Sequence, residues 1–208
     1  MAYNITKEFT AAQNKNSVTD HLTSFEASIL FTAALIHDWG ELEIENMGHG
    51  DVTFEEHGKS HDKTERLIFE RVTERIIDSS DQSFIRQVYK QVTQDKNRRL
   101  GRMFSAIERI GYLKTGLRAY KGFKGMRIDN WAGLAGNVLS NQIISLLEYA
   151  PDYPYIKDVL VQNSDLITDA FSDIYQIETP SDNRGVPSYD SEKFLKNHQA
   201  WLQSLSSP

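Results

Sequence analysis

An apolar segment that ends in a histidine and an aspartate constrains this chain more than any other stretch. Residues from Ala27 to Ile36 are mostly apolar, and His37 and Asp38 follow directly. The run is too short to span a bilayer, so it predicts a buried helix that is apolar on nearly every side. An imidazole beside a carboxylate is costly to bury alone, and a divalent metal ion is a natural partner for both. The segment therefore predicts a buried helix with two metal ligands at its end.

A capping role is the alternative for His37 and Asp38. A histidine is favourable near the C-terminus of a helix because its charged form interacts with the helix dipole, and His-Asp pairs also recur by chance. Glu41 follows His37 by four positions. A continuing helix would place the two on one face, about one turn apart.

Composition limits the chemistry that is available. The 208 residues include no cysteine, which excludes disulfides, thiolate metal sites and thiol catalysis. Any metal ion is then held by His, Asp and Glu, which suit Mn, Co, Fe, Ni, Zn or Mg. The net charge of -6 argues against a nucleic-acid polymer as partner. The first residues lack the pattern of a signal peptide, so we expect a cytoplasmic protein without a membrane partner.

Helical periodicity predicts an all-α protein, and no strand-type alternation stands out. The strongest helix, over residues 102–120, carries an apolar stripe of Met103, Phe104, Ile107, Ile110, Leu113 and Leu117. Further helices are predicted over 55–77, 84–93, 131–149 and 156–175. The expected organisation is a helical core over 1–177, a linker over 178–190 and a C-terminal helix over 191–208. That last helix is expected to pack on the core through Phe194, Leu195, Trp201 and Leu202.

Residues 35–41, Leu-Ile-His-Asp-Trp-Gly-Glu, resemble the signature of the HD-domain metal-dependent phosphohydrolases. The likeness continues in residues 50–53, Gly-Asp-Val-Thr, in a segment with Lys59, Lys63 and Glu65, and in residues 17–21, Ser-Val-Thr-Asp-His. It is greatest for the branch of 5'-deoxynucleotidases and their relatives. The resemblance covers about residues 17–120 and implies an HD-domain helical bundle.

The resemblance implies that His21, His37, Asp38 and Glu108 hold one divalent ion. Glu108 stands where the family has aspartate, and its extra methylene implies a wider or altered site. The alternative for Glu108 is a carboxylate at the edge of the apolar stripe, paired with Arg102 or Lys114.

Joint ligation by the first two histidines requires a break in the chain. His21 and His37 are 16 positions apart, and one straight helix would separate them by about 24 Å. Thr23 or Ser24 offers the N-cap of a new helix after such a break. The alternative for His21 is a surface histidine.

The same resemblance assigns catalytic roles to Glu41 and Asp38. Glu41 would orient the metal-activated water or act as general acid or base. Substrate binding would involve Asp51, and Lys124 and Arg127 of a basic segment would offset phosphate charge.

Three functions stay open on the sequence. The first is a phosphomonoesterase acting on nucleotides or deoxynucleotides, which are small phosphorylated substrates. The second is a phosphodiesterase or nucleoside triphosphohydrolase of another HD branch, with a second metal ion at His57 and His61, four positions apart. The alternative for these two is a pair of solvated histidines in a strongly polar stretch. The third is a degenerate, non-catalytic HD domain that binds a nucleotide or a partner. Related enzymes also suggest a homodimer.

Overall fold

The computed structural model describes residues 1–16, 21–41, 65–76, 78–123, 139–176 and 191–206. All regular elements in these ranges are helical, which confirms the all-α class. No helix in this part of the chain combines the length and apolar composition that crossing a bilayer requires. The helices are α1 (Ala2–Asn16), α2 (Ser24–Ile36), α3 (65–73), α4 (Ser79–Val88), α5 (Arg99–Phe123), α6 (Ser140–Tyr149), α7 (Pro154–Gln162), α8 (Ser164–Gln176) and α9 (Ser191–Ser206).

The chain divides into two compact units. The N-terminal unit contains residues 2–7 and 22–105, and the C-terminal unit contains residues 1, 8–21 and 106–208. Helices α1 and α5 each contribute residues to both. The predicted linker over 178–190 lies outside the described residues.

Helix α2 begins with a capping box at the predicted position. The backbone N–H of Glu26 donates to the Thr23 hydroxyl oxygen at 3.1 Å, and the Thr23 N–H donates to the Glu26 carboxylate at 2.9 Å. This second bond is the main reason that the pKa of Glu26 lies below its ordinary value. The cap satisfies amide groups that the first turn of a helix cannot pair. Thr23 as the N-cap of α2 is thus confirmed.

Helix α2 buries one face rather than its whole surface. Leu30, Ala33, Ala34 and Ile36 are buried, whereas Leu35 is exposed. The helix packs against α4 and the turn that follows α4. The expectation of burial on nearly every side is therefore wrong, because the packed neighbours cover only one face of α2.

Helix α4 starts earlier than the sequence pattern indicates. Asp78 caps it by accepting hydrogen bonds from the backbone N–H groups of Ser80 and Asp81. At the other end the chain widens into one π-helical turn, Tyr89–Thr93, where the N–H of Gln94 donates to the Tyr89 carbonyl oxygen at 3.1 Å. Such turns often occur at functional sites.

Helix α5 carries the predicted apolar stripe, and the burial of that stripe is confirmed. Met103 and Phe104 belong to the core of the N-terminal unit. Farther along the helix, the core of the C-terminal unit includes Ile107, Ile110, Leu113, Leu117 and Tyr120.

The C-terminal unit corrects two expectations. The helix predicted over 156–175 is interrupted at Asn163, whose side-chain amide donates to the Val159 carbonyl oxygen at 2.7 Å. On α9, Phe194 and Trp201 are buried as predicted, but Leu195 and Leu202 are exposed. The residue that shares the packed face is Asn197, which donates to Ser140 and Asn141. A helical turn of 3.6 residues places 194, 197 and 201 together and turns 195 and 202 away.

We expect Thr23→Ala to lower the free energy of unfolding by about 1 kcal/mol, because it removes the hydroxyl of the capping box. Thr32→Ala is the matched control, since Thr32 lies inside the same helix and its hydroxyl donates only to the Ser28 carbonyl oxygen. Urea denaturation measures both variants. Equal stability of the Thr23 variant and the wild type would contradict the capping role.

We expect His198 to make the stability of the C-terminal unit dependent on pH. Its ring stacks on Phe171 with centroids 5.0 Å apart, and burial lowers the pKa of His198 below the usual 6.5. The unfolded chain therefore takes up the proton at higher pH than the folded chain does. The stability contribution of neutral His198 is complete above the usual pKa and is lost as pH falls towards the folded pKa.

Proton NMR titration of the His198 ring measures this pKa directly. Denaturation midpoints at several pH values, compared with those of His198→Gln, measure the linked stability. A folded-state pKa at or above 6.5 would show that the stacked ring stabilises the charged form instead.

Candidate functional site

The His-Asp pair lies where α2 ends. His37 is the C-cap residue, and its backbone N–H donates to the Ala33 carbonyl oxygen. The chain continues as a 3₁₀ turn over His37–Glu41. The backbone of His37 thus occupies the C-cap position of α2. This position leaves its imidazole available for other contacts.

The imidazole of His37 lies between a polar and an aromatic neighbour. Its Nε2 is 3.0 Å from Oδ1 of Asp38, and its side chain is 19% exposed against 65% for Asp38. On another side it meets the buried ring of Phe104, edge to face, with centroids 5.6 Å apart. Contacts of this kind fix the orientation of the imidazole while the carboxylate stays accessible to solvent.

The second ring nitrogen of His37 has an unusual environment. Nδ1 is buried and has no hydrogen-bond partner among the described residues. Burial lowers the pKa of His37, and the Asp38 carboxylate and the Ala34 carbonyl oppose this shift only in part. When Nε2 carries the proton shared with Asp38, Nδ1 keeps its lone pair. A neutral imidazole with a lone pair is the form that binds metal ions.

A close approach of the Glu65 backbone explains why residue 40 is a glycine. A Cβ atom at this position would lie 2.7 Å from the carbonyl oxygen of Glu65, at the start of α3, and would also overlap the Glu65 side chain. Glycine permits this contact because it has no Cβ. The chain after His37 is a 3₁₀ turn and not the continuing α-helix on which the expected register of residue 41 rested.

Three aromatic rings support this turn. Phe69 stacks on Tyr89 with centroids 3.6 Å apart, and Trp39 lies tilted against Phe69 at 6.3 Å. The Tyr89 hydroxyl donates to the Glu65 carboxylate at 3.1 Å, which joins the π-helical turn to α3. Through Glu65, α3 also contacts the 3₁₀ turn His37–Glu41, named here the His-Asp turn. Neither Phe69 nor Tyr89 was predicted from the sequence, because periodicity does not reveal which distant turn a ring contacts.

His37 and Asp38 fit a divalent metal ion by their donor types, but Asp38 lies against Nε2, on the side of the ring away from the buried Nδ1. Because the Asp38 side chain is mostly exposed, packing does not hold it against His37. Among the described residues, however, no three His, Asp or Glu side chains form a group that could hold a metal ion. The described part of this site therefore supplies two of the ligands that a metal centre needs.

The other predicted site residues fall in several places. His21 is exposed and Glu108 is half-buried on α5, and both belong to the C-terminal unit. That His21 and Glu108 bind the same ion as His37 and Asp38 remains a prediction. Glu41 ends the 3₁₀ turn. Asp51, His57, His61, Lys124 and Arg127 lie outside the described residues.

Comparison with known proteins assigns no family to this chain. No protein-family model, no curated protein and no solved structure matches this chain.

We expect Gly40→Ala to lower the free energy of unfolding by about 1–3 kcal/mol, because the added methyl group overlaps backbone atoms of Glu65. Gly122→Ala is the matched control, since a Cβ there meets nothing within 4 Å and alanine favours a helix. Urea denaturation compares the two. A Gly40 variant as stable as the Gly122 variant would show that α3 moves freely away from the turn.

Proposed function

We propose that this chain is a metal-dependent phosphohydrolase of the HD type, acting as a phosphomonoesterase on nucleotides or deoxynucleotides. The observation that carries the proposal is the His37-Asp38 pair at the end of α2. It combines a mostly buried imidazole with an adjacent accessible carboxylate. The surrounding sequence, which resembles the HD signature, gives this pair its chemical interpretation.

In the proposed mechanism His37 and Asp38 are ligands, completed by His21 and Glu108. A bound divalent ion supplies a water of lowered pKa and polarises a phosphoryl oxygen. Phe104 and the capped end of α2 hold the His37 ring in place, which limits the loss of side-chain entropy on ligation.

Glu41 is proposed to orient the attacking water or to move its proton, and it is not proposed as a ligand. Asp51, Lys124 and Arg127 are proposed to bind the substrate, the two cations by offsetting phosphate charge. His57 and His61 would add a second ion if the chain belongs to the phosphodiesterase or triphosphohydrolase branch instead.

Elemental analysis of chain purified without chelator tests the metal site. We expect about one divalent ion per chain, or two with the second site filled, and loss of the ion in His37→Ala and in Glu108→Ala. Glu41→Gln is the matched control: it keeps the metal but lowers kcat on nucleoside monophosphates by about 10²–10⁴-fold.

The outcomes separate the three functions. Preferential hydrolysis of triphosphates or cyclic dinucleotides would assign the chain to the other HD branch. Loss of metal in His37→Ala but not in Glu108→Ala would remove Glu108 from the ligand set. No metal in the wild type, even after addition of Mn or Co, would refute the hydrolase and leave the non-catalytic binding domain.

A further inference from the structure

An apolar cavity lies within the C-terminal unit, apart from the residues assigned to hydrolysis. Its volume is about 600 Å³, and α7, α9 and the end of α6 contribute to its walls. Volumes of this size are typical of sites for small organic ligands. The apolar lining includes Leu147, Leu160, Val161, Trp201 and Leu205.

One lining residue, Trp201, belongs to the core beneath the cavity. Trp201 is almost completely buried, and its indole N–H donates to the Thr168 hydroxyl oxygen at 3.1 Å. Because that bond satisfies the polar atom of the ring, the part of Trp201 that faces the cavity offers only apolar contact. At the mouth, Val161 is 63% exposed and Leu205 is also exposed. An apolar ligand would cover both.

The described residues that line the cavity carry only positive charge. Lys157 is the only charged side chain among the described residues that line it, and it forms no ion pair within the described structure. Ser164 adds a hydroxyl group to the same wall. In a chain with a net charge of -6, a single unpaired cation beside an apolar surface favours a ligand with one negative charge over a dianion.

We propose that this cavity binds a small amphipathic monoanion, a carboxylate with an unbranched apolar tail. The tail covers Val161 and Leu205, and the carboxylate pairs with Lys157. The site does not depend on the proposed hydrolase activity, because it shares no residue with the His-Asp turn.

Isothermal titration of the full chain with three ten-carbon probes tests this proposal. The probes are decanoate, decanol and decyltrimethylammonium, which share a ten-carbon chain. The two ions are used below their micelle concentrations and decanol below its solubility limit. We expect decanoate to bind most tightly and the cation least. Lys157→Gln should weaken decanoate binding by up to about fivefold, the range of an exposed ion pair, and change decanol binding less than twofold.

Two further variants complete the test. Val161→Asp, at an exposed position, should weaken decanoate more than decanol because it removes apolar area and adds a like charge at the mouth. Lys90 is an exposed cation on the π-helical turn, and Lys90→Gln should change the affinity for neither decanoate nor decanol.

Three results would overturn the proposal. The first is equal affinity for all three probes, which would indicate non-specific apolar binding. The second is decanoate binding unchanged in both Lys157→Gln and Val161→Asp, which would place the ligand elsewhere. The third is self-association of the wild type that Val161→Asp abolishes and decanoate does not compete with, which would make this face a contact between two copies of the chain.

Discussion

Burial of the apolar stripe on α5 is the constraint on which the described structure depends. Met103 and Phe104 lie in the core of the N-terminal unit, and the core of the C-terminal unit includes Ile107, Ile110, Leu113, Leu117 and Tyr120 of the same helix. A long helix is only marginally stable by propensity alone, so packing along this stripe is what maintains it. The position of Phe104, and with it the edge contact to His37, follows from that packing.

The His-Asp turn combines local and non-local constraints. Locally, the capping box at Thr23 fixes where α2 begins, and the C-cap at His37 fixes where it ends. Non-locally, the close approach of Glu65 to Gly40 and the stacked rings of Phe69 and Tyr89 fix the course of the chain after the pair. The His37 ring on such a support has few conformations to lose when it binds an ion, which favours binding. The π-helical turn brings Tyr89 into this support through its hydrogen bond to Glu65.

The candidate site could be predicted from sequence only as far as its chemistry is local. Adjacent histidine and aspartate after an apolar run indicated their place at a helix end, and a threonine before the run indicated the cap. The register of Glu41 could not be predicted, because the sequence does not reveal that α2 gives way to a 3₁₀ turn. The glycine requirement at residue 40 was equally hidden, since Glu65 approaches it from a distant part of the chain.

The sequence by itself determined the all-α class, the start of α2, the buried stripe of α5 and the two anchor residues of α9, Phe194 and Trp201. These follow from capping chemistry and from the 3.6-residue period, which act between residues close in sequence. Tertiary structure alone decided that α2 buries one face and that Nδ1 of His37 has no partner within the described residues. Each depends on which distant segment packs against a surface, and periodicity carries no information about that.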